Sequence, residues 1–200
     1  MIMADTVLET AHGSLAVRLH QDGNAPQCLS IATGDLTQPG VAVRMHSSCV
    51  FGEALFATDC DCGQQLSAAM QEIQRRGSGV VVYLYQEGRG AGLAAKIQGM
   101  EHQRTFGVNS YESYAALGIP RDDRDYSPAL GALEDLQVCH DIALMSNNPL
   151  KQEALEKAGY QVREHVFLVY ELDRRAYEYL MMKKREGSHA LDLDRIRFVG

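Results

Sequence analysis

The chain has 200 residues, 46% apolar and 22% charged, with a formal net charge of −7. These values exclude chain-wide disorder and leave room for one sizeable core, or at most two small lobes around one. The acidic balance argues against a nucleic-acid binder held by phosphate contacts, although a basic pocket can still take a small phosphorylated ligand.

The N-terminus, MIMADTVLETAHG, has neither the basic segment nor the apolar segment of a secretory signal. SLAVRLH, QCLSIATG and GVAVRMH then alternate apolar and polar residues between Gly and Pro, and predict antiparallel strands within the first 45 or so residues. QLSAAMQEIQRRG, 65–77, spaces Leu66, Ala69, Met70 and Ile73 as one helical face, with Gly77 as its stop. GVVVYLYQ, 79–86, is a continuous apolar run of strand length and reads as a strand buried on both faces. Its VVVYLY segment is the longest strongly apolar run and is too short to span a bilayer. A glycine-rich loop and a helix over AGLAAKIQGM follow, then a short helix over SYESYAALG and a charged loop, IPRDDRDY. PALGALEDLQV predicts a helix, DIALMS a strand, and NNPLKQEALEKAG a helix opened by Asn147 or Asn148 before Pro149. YQVREHVFLV reads as a strand, and the tail from Leu172 to Arg185 as helical. Alternating strands and helices after residue 64, behind a strand-rich start, predict a mixed α/β fold.

Three of the five cysteines lie in CVFGEALFATDCDCG: Cys49, Cys60 and Cys62. The expected compartment is cytoplasmic, where thiols stay reduced. The spacing suggests no disulfide framework, and the Cys-x-x-Cys pair of a redox site is absent. Inert buried thiols and metal ligands remain, and spacing alone does not choose between them. As ligands the three would form a set with one open position, the pattern of a catalytic zinc rather than a structural one. A zinc ion so held would acidify a bound water, which would point to a hydrolase. His46 is the nearest fourth ligand for a purely structural site, but it reads as part of a strand end. Cys28 and Cys139 stand alone and read as small buried hydrophobes.

QEGRGAGLAAK, 86–96, follows a buried strand and opens a helix. Its Gly88, Gly90 and Gly92 lack the spacing of a dinucleotide fingerprint. Two readings stand: a tight strand-to-helix turn, or a phosphate cradle to which Arg89 and Lys96 add charge. IPRDDRDY is either a solvated loop or an arginine and a carboxylate, Arg124 and Asp122, set beside a phosphate.

HSSC, ten residues, then CDCG; QEGRGAGL, two residues, then Lys96; DDRDY; and SNNPLK occur in this order. Together they strongly resemble the GTP cyclohydrolase II family, whose activity opens the pathway to riboflavin. The resemblance runs from about residue 12 to about residue 190 and implies a single such domain over residues 1–200. It implies a zinc-dependent hydrolase that opens the guanine imidazole ring of GTP at C8 and releases formate and pyrophosphate. By position, Cys49, Cys60 and Cys62 match the zinc ligands, with one ion per chain. Arg44, Met45, His46, Ser47, Ser48, Gln65, Glu87, Gly88, Arg89, Ser110, Ser146 and Lys151 match nucleotide-binding positions. Asp122 matches the proton acceptor. Arg124 matches a nucleophile toward the α-phosphorus, although a guanidinium with a pKa above about 12 suits a phosphate clamp better. Magnesium would accompany the triphosphate, and a homodimer is implied.

Three departures stand out. The family motif has a tyrosine four residues after the lysine of the glycine-loop helix, where this chain has Met100. Methionine has no proton to give, so the ring is expected to open while the formyl group stays on the product. Ser48 replaces a glutamate, which puts substrate affinity in question. GRGAGL replaces Gly-Arg-Asn-Ile-Gly-Leu and is expected to loosen that loop's fit. These departures suggest a specialised paralogue serving a secondary pathway from GTP. The alternative is a nucleotide-binding regulatory protein that kept the pocket and lost turnover.

Overall fold

In this computed structural model, residues 1–22, 25–172, 177, 180–181, 184–185 and 197–198 are described. Four strands open the chain: β1 (Ile2–Thr10), β2 (Gly13–Asp22), β3 (Ala25–Thr33) and β4 (Val41–Ser47). The short helix α1 (Val50–Glu53) and the longer α2 (Cys62–Arg76) lead into β5 (Gly79–Leu84). A single 3₁₀ turn over Gly88–Gly90 precedes α3 (Gly92–Phe106), α4 (Ser110–Ala116) and α5 (Ser127–Asp135). The chain continues through β6 (Asp141–Leu144), α6 (Pro149–Lys157) and β7 (Gln161–His165), with a small parallel pair β8 (Glu171–Leu172) and β9 (Arg197–Phe198) beyond.

Seven strands form one mixed sheet in the order β1-β2-β3-β5-β4-β6-β7. The β1-β2-β3-β5 half is antiparallel, and β5, β4, β6 and β7 run parallel. The mixed α/β expectation is therefore met. The continuous apolar run of β5 has its predicted cause. Val80, Val82 and Leu84 enter one core with Ala129 and Leu133 of α5 and Leu155 of α6. Val81 enters the opposite core with Ala69 and Ile73 of α2. Each such aliphatic side chain contributes about 1.5–3 kcal/mol by leaving water, so this central strand anchors both layers. α2 stops where predicted: Gly77 takes a left-handed φ of 73° and caps the last turn.

Several elements differ from the sequence reading. β4, read with β2 and β3 as antiparallel, instead pairs parallel with both β5 and β6, because the chain returns to the sheet through α1 and α2 rather than through a hairpin. β1 was not foreseen; its residues are almost all exposed, so no apolar face marks it, and it is held by pairing with β2. α1 is too short to show a periodicity. The strand read over 160–169 is confined to Gln161–His165, after which Val166 and Leu168 turn onto the α2-side core. The helix read over AGLAAKIQGM continues to Phe106 and ends at Gly107. The helical tail read over 172–185 lies largely outside the described residues. No helix among the described residues is long and apolar enough to cross a membrane.

Candidate active site

β4, β5 and β6 lie side by side and parallel, so their carboxyl ends open on one edge of the sheet. Ligand crevices form at such edges in open α/β sheets. A cleft of about 710 Å³ lies here, large enough for a nucleotide. Its walls come from the segments after β4, β5 and β6, from α2 and α3, and from the loop before α5.

The sulfurs of Cys49, Cys60 and Cys62 converge on this cleft, all within 4.8 Å of one another. Cys49 caps α1 and accepts the Gly52 N–H at 3.5 Å; Cys60 Sγ lies 3.7 Å away. Gly52 makes the cluster possible, because a Cβ there would sit 2.7 Å from Cys60 Sγ and 3.5 Å from Cys49 Sγ. Among the described residues no His, Asp or Glu completes the group to four. The Cys49 thiol is pulled well below its usual pKa, chiefly by hydrogen bonds from Cys60 and Cys62, with Gly52 and Lys96 adding to it. Three convergent soft donors, one primed as thiolate and all facing a cleft, fit zinc with an open fourth position.

A buried polar chain backs the sulfurs. Strand alternation sends Arg44 and His46 to the α2 side and Met45 to the opposite core. Arg44 donates to His46 Nδ1 at 3.1 Å, to the Met145 carbonyl at 3.0 Å and to Gln65 Oε1 at 2.5 Å. His46 Nε2 lies 2.8 Å from Glu53 Oε1, and the Tyr83 hydroxyl donates to the other Glu53 oxygen. Gln65 also donates to Asp61 and to the Tyr170 hydroxyl, which in turn donates to Asp61.

Burial lowers the His46 pKa to about 4, against an ordinary 6.5, so the ring is neutral and its Nε2–H donates to Glu53. The unfolded chain therefore binds this proton more readily than the folded one. The contribution of His46 to stability is fully present above pH 6.5, and about 3 kcal/mol of it is expected to be lost as pH drops from 6.5 to 4. Urea unfolding across that range checks this, and His46→Gln should remove that part of the slope.

The glycine loop follows β5. Arg89 sits at φ 58°, a left-handed conformation uncommon for a side-chain-bearing residue. It donates to Ser110 Oγ at 2.8 Å and stacks on the Tyr111 ring at 4.0 Å. Arg121 lies 4.2 Å from the same ring. Gly90 has a φ of 90°, and a Cβ there would meet the Asp123 carbonyl oxygen at 2.4 Å. Only glycine lets this loop press on the charged loop, where the Asp123 N–H donates to the Arg89 carbonyl. Asp122 and Arg124 pair through two side-chain contacts, Nε–Oδ1 at 2.8 Å and Nη2–Oδ2. Burial works against charge on Asp122, but the Arg124 hydrogen bonds outweigh it and hold its carboxyl below the usual range.

A model of the family "GTP cyclohydrolase II" matches residues 2–167. The chain belongs to the GTP cyclohydrolase II family. It is 40% identical over 173 residues to the GTP cyclohydrolase-2 of Streptomyces coelicolor, covering 86% of this chain and 76% of that one. It is 40% identical over 192 residues to the GTP cyclohydrolase-2 of a Shewanella species, covering 94% and 93%. It is 35% identical over 190 residues to that of Neisseria meningitidis, covering 94% and 95%. Among solved structures, a two-domain 3,4-dihydroxy-2-butanone 4-phosphate synthase from A. baumannii superposes with a TM-score of 0.46 at 17% identity. That match covers 85% of this chain and 40% of the other.

All the residues picked out by the GTP cyclohydrolase II motifs line this one cleft except Met45. The Met45 side chain is fully buried in the sheet core, and its carbonyl accepts from Lys151 Nζ at 2.7 Å. Met45 is thus seated to hold Lys151 rather than to touch a ligand through its side chain. Ser146 Oγ accepts the Asn148 N–H, which starts α6. Met100 lies one helical turn beyond Lys96 on α3, facing the same cleft. Sequence reasoning missed Glu53, Asp61, Tyr83 and Tyr170. Each matters through partners remote in sequence, and only the carboxylates within the cysteine segment offered any local hint.

Proposed function

We propose that this protein opens the guanine imidazole ring of GTP by hydrolysis at C8 and releases pyrophosphate. The supporting observation is that three sulfurs with no fourth ligand among the described residues share one nucleotide-sized cleft with the Asp122–Arg124 pair. A zinc ion held by Cys49, Cys60 and Cys62 would supply Lewis acidity and an acidified water for attack on a weakly electrophilic carbon. Arg44, held by Gln65 and the Met145 carbonyl, and the neutral His46 line the cleft close to the sulfurs and would orient the base. Arg89, Lys151 and Arg124 would hold the triphosphate, which magnesium would accompany. Arg124 acts as a phosphate clamp, because its bidentate hold on Asp122 keeps its planar fork oriented.

The product keeps its formyl group, giving a formylamino-pyrimidine ribonucleotide monophosphate. Met100 faces the cleft from α3 and offers no hydroxyl with which to assist a second hydrolysis. The active unit is a homodimer of single-domain chains, acting in the cytoplasm.

Mass spectrometry of products from zinc-loaded protein and GTP tests both parts. A formylamino product with pyrophosphate is expected, and Met100→Tyr should begin to release formate. Stoichiometric formate from the wild type would overturn the formyl-retention reading. Binding of GTP without turnover by zinc-replete protein would overturn the enzymatic one.

A further inference from the structure

Lys96 reads from sequence as extra positive charge for a phosphate cradle. Its surroundings point elsewhere. The ammonium lies 3.1 Å from Cys49 Sγ and 2.8 Å from Glu87 Oε2. It also sits 4.8 Å from the centre of the Phe51 ring. Glu87 is anchored in turn, its other oxygen accepting the Val50 N–H at 2.5 Å. The pair is largely withdrawn from water, with side-chain exposures of 17% and 15%. Two of the three N–H bonds of Lys96 thus go to a sulfur and to a carboxylate fixed at the start of α1, next to that sulfur.

Cys49 is the most buried of the three sulfur-bearing residues, at 5% exposure. Three thiolates around a divalent ion carry a net negative charge and donate strongly, which makes the ion a weaker Lewis acid than an all-imidazole set would. A charge-assisted hydrogen bond to one thiolate withdraws density from that sulfur and offsets part of the charge.

We propose that Lys96 is a positioning residue of the metal site, donating to the Cys49 thiolate to sharpen the electrophilicity of the bound metal, with Glu87 as the strut that aims it. This rests on the reading of the three cysteines as metal ligands. It assigns Lys96 to the metal rather than to the phosphates, and gives Glu87 a duty besides any contact with nucleotide.

The test uses the cobalt(II)-substituted full chain, whose sulfur-to-cobalt charge-transfer band reports thiolate donor strength directly. In Lys96→Met the band is expected to move to longer wavelength, because an unassisted thiolate gives up density more easily. Activity of the zinc form should fall about 10–100-fold in kcat, and the ascending limb of its pH profile should move to higher pH. Lys96→Arg should recover part of both, and Glu87→Gln, which keeps the lysine but weakens its strut, should shift the band less in the same direction. A Lys96→Met protein that binds cobalt with the wild-type band and shows only a raised KM for GTP overturns the proposal in favour of a phosphate contact. Should Lys96→Met fail to fold, a wild-type band in both Lys96→Arg and Glu87→Gln overturns it as well. Failure of the wild type itself to take up cobalt or zinc would instead sink the underlying metal reading.

Discussion

Cys60→Ser is expected to strip the purified protein of stoichiometric zinc and to lower GTP turnover by on the order of 10³-fold or more. A serine hydroxyl does not ionise near neutral pH and replaces a soft donor with a hard one, so a three-sulfur site becomes a two-sulfur site. The metal's stabilisation of developing charge is worth several kcal/mol, and each 1.36 kcal/mol is about tenfold in rate. The fold should survive. Cys60 lies half-buried between α1 and α2, outside both hydrophobic cores. Metal analysis, turnover and circular dichroism on one preparation check the three parts together. Cys60→Ser protein with wild-type zinc content and wild-type turnover would contradict the assignment of these thiols.

Arg124→Ala is expected to reduce kcat by about 10²–10³-fold while leaving metal content unchanged. That is the size of effect seen when a preorganised cationic or hydrogen-bonding group is removed from a developing charge. Arg124 is oriented by Asp122 through a two-point contact that a lysine cannot reproduce, so Arg124→Lys should recover little. Asp122, held below the usual carboxylate range, stays ionised at neutral pH and is suited first to aiming the guanidinium. Steady-state kinetics with a pyrophosphate-release assay measures the effect. A kcat within about threefold of wild type in Arg124→Ala would remove this residue from the reaction.

Much of the layering is legible in the sequence. β5 announces itself because both of its faces are covered, leaving no polar position inside Val80–Val82. α2 is visible from one apolar face and a left-handed glycine stop. β1 was invisible because no described residue buries it; pairing with β2, not pattern, makes it a strand. The site was legible where chemistry sits in short motifs, such as the two cysteines flanking Asp61 or the aspartate and arginine of the charged loop. It was illegible where a role depends on parity or on distant pairing. Met45 lies between Arg44 and His46 in sequence, but strand alternation turns its side chain into the other core. The contact of Lys96 with Cys49 spans 47 residues and exists only because α3 packs against the segment after β4. The hold of Tyr170 on Asp61 spans 109.

The proposed metal is held by three sulfurs, with its last position open to the nucleotide cleft. X-ray absorption at the zinc edge of the purified protein tests it most directly. Three sulfur neighbours at about 2.3 Å and one light neighbour at about 2.0–2.2 Å are expected, the light neighbour responding when GTP is added. A first shell of four protein ligands that ignores GTP, or protein without zinc, would contradict it.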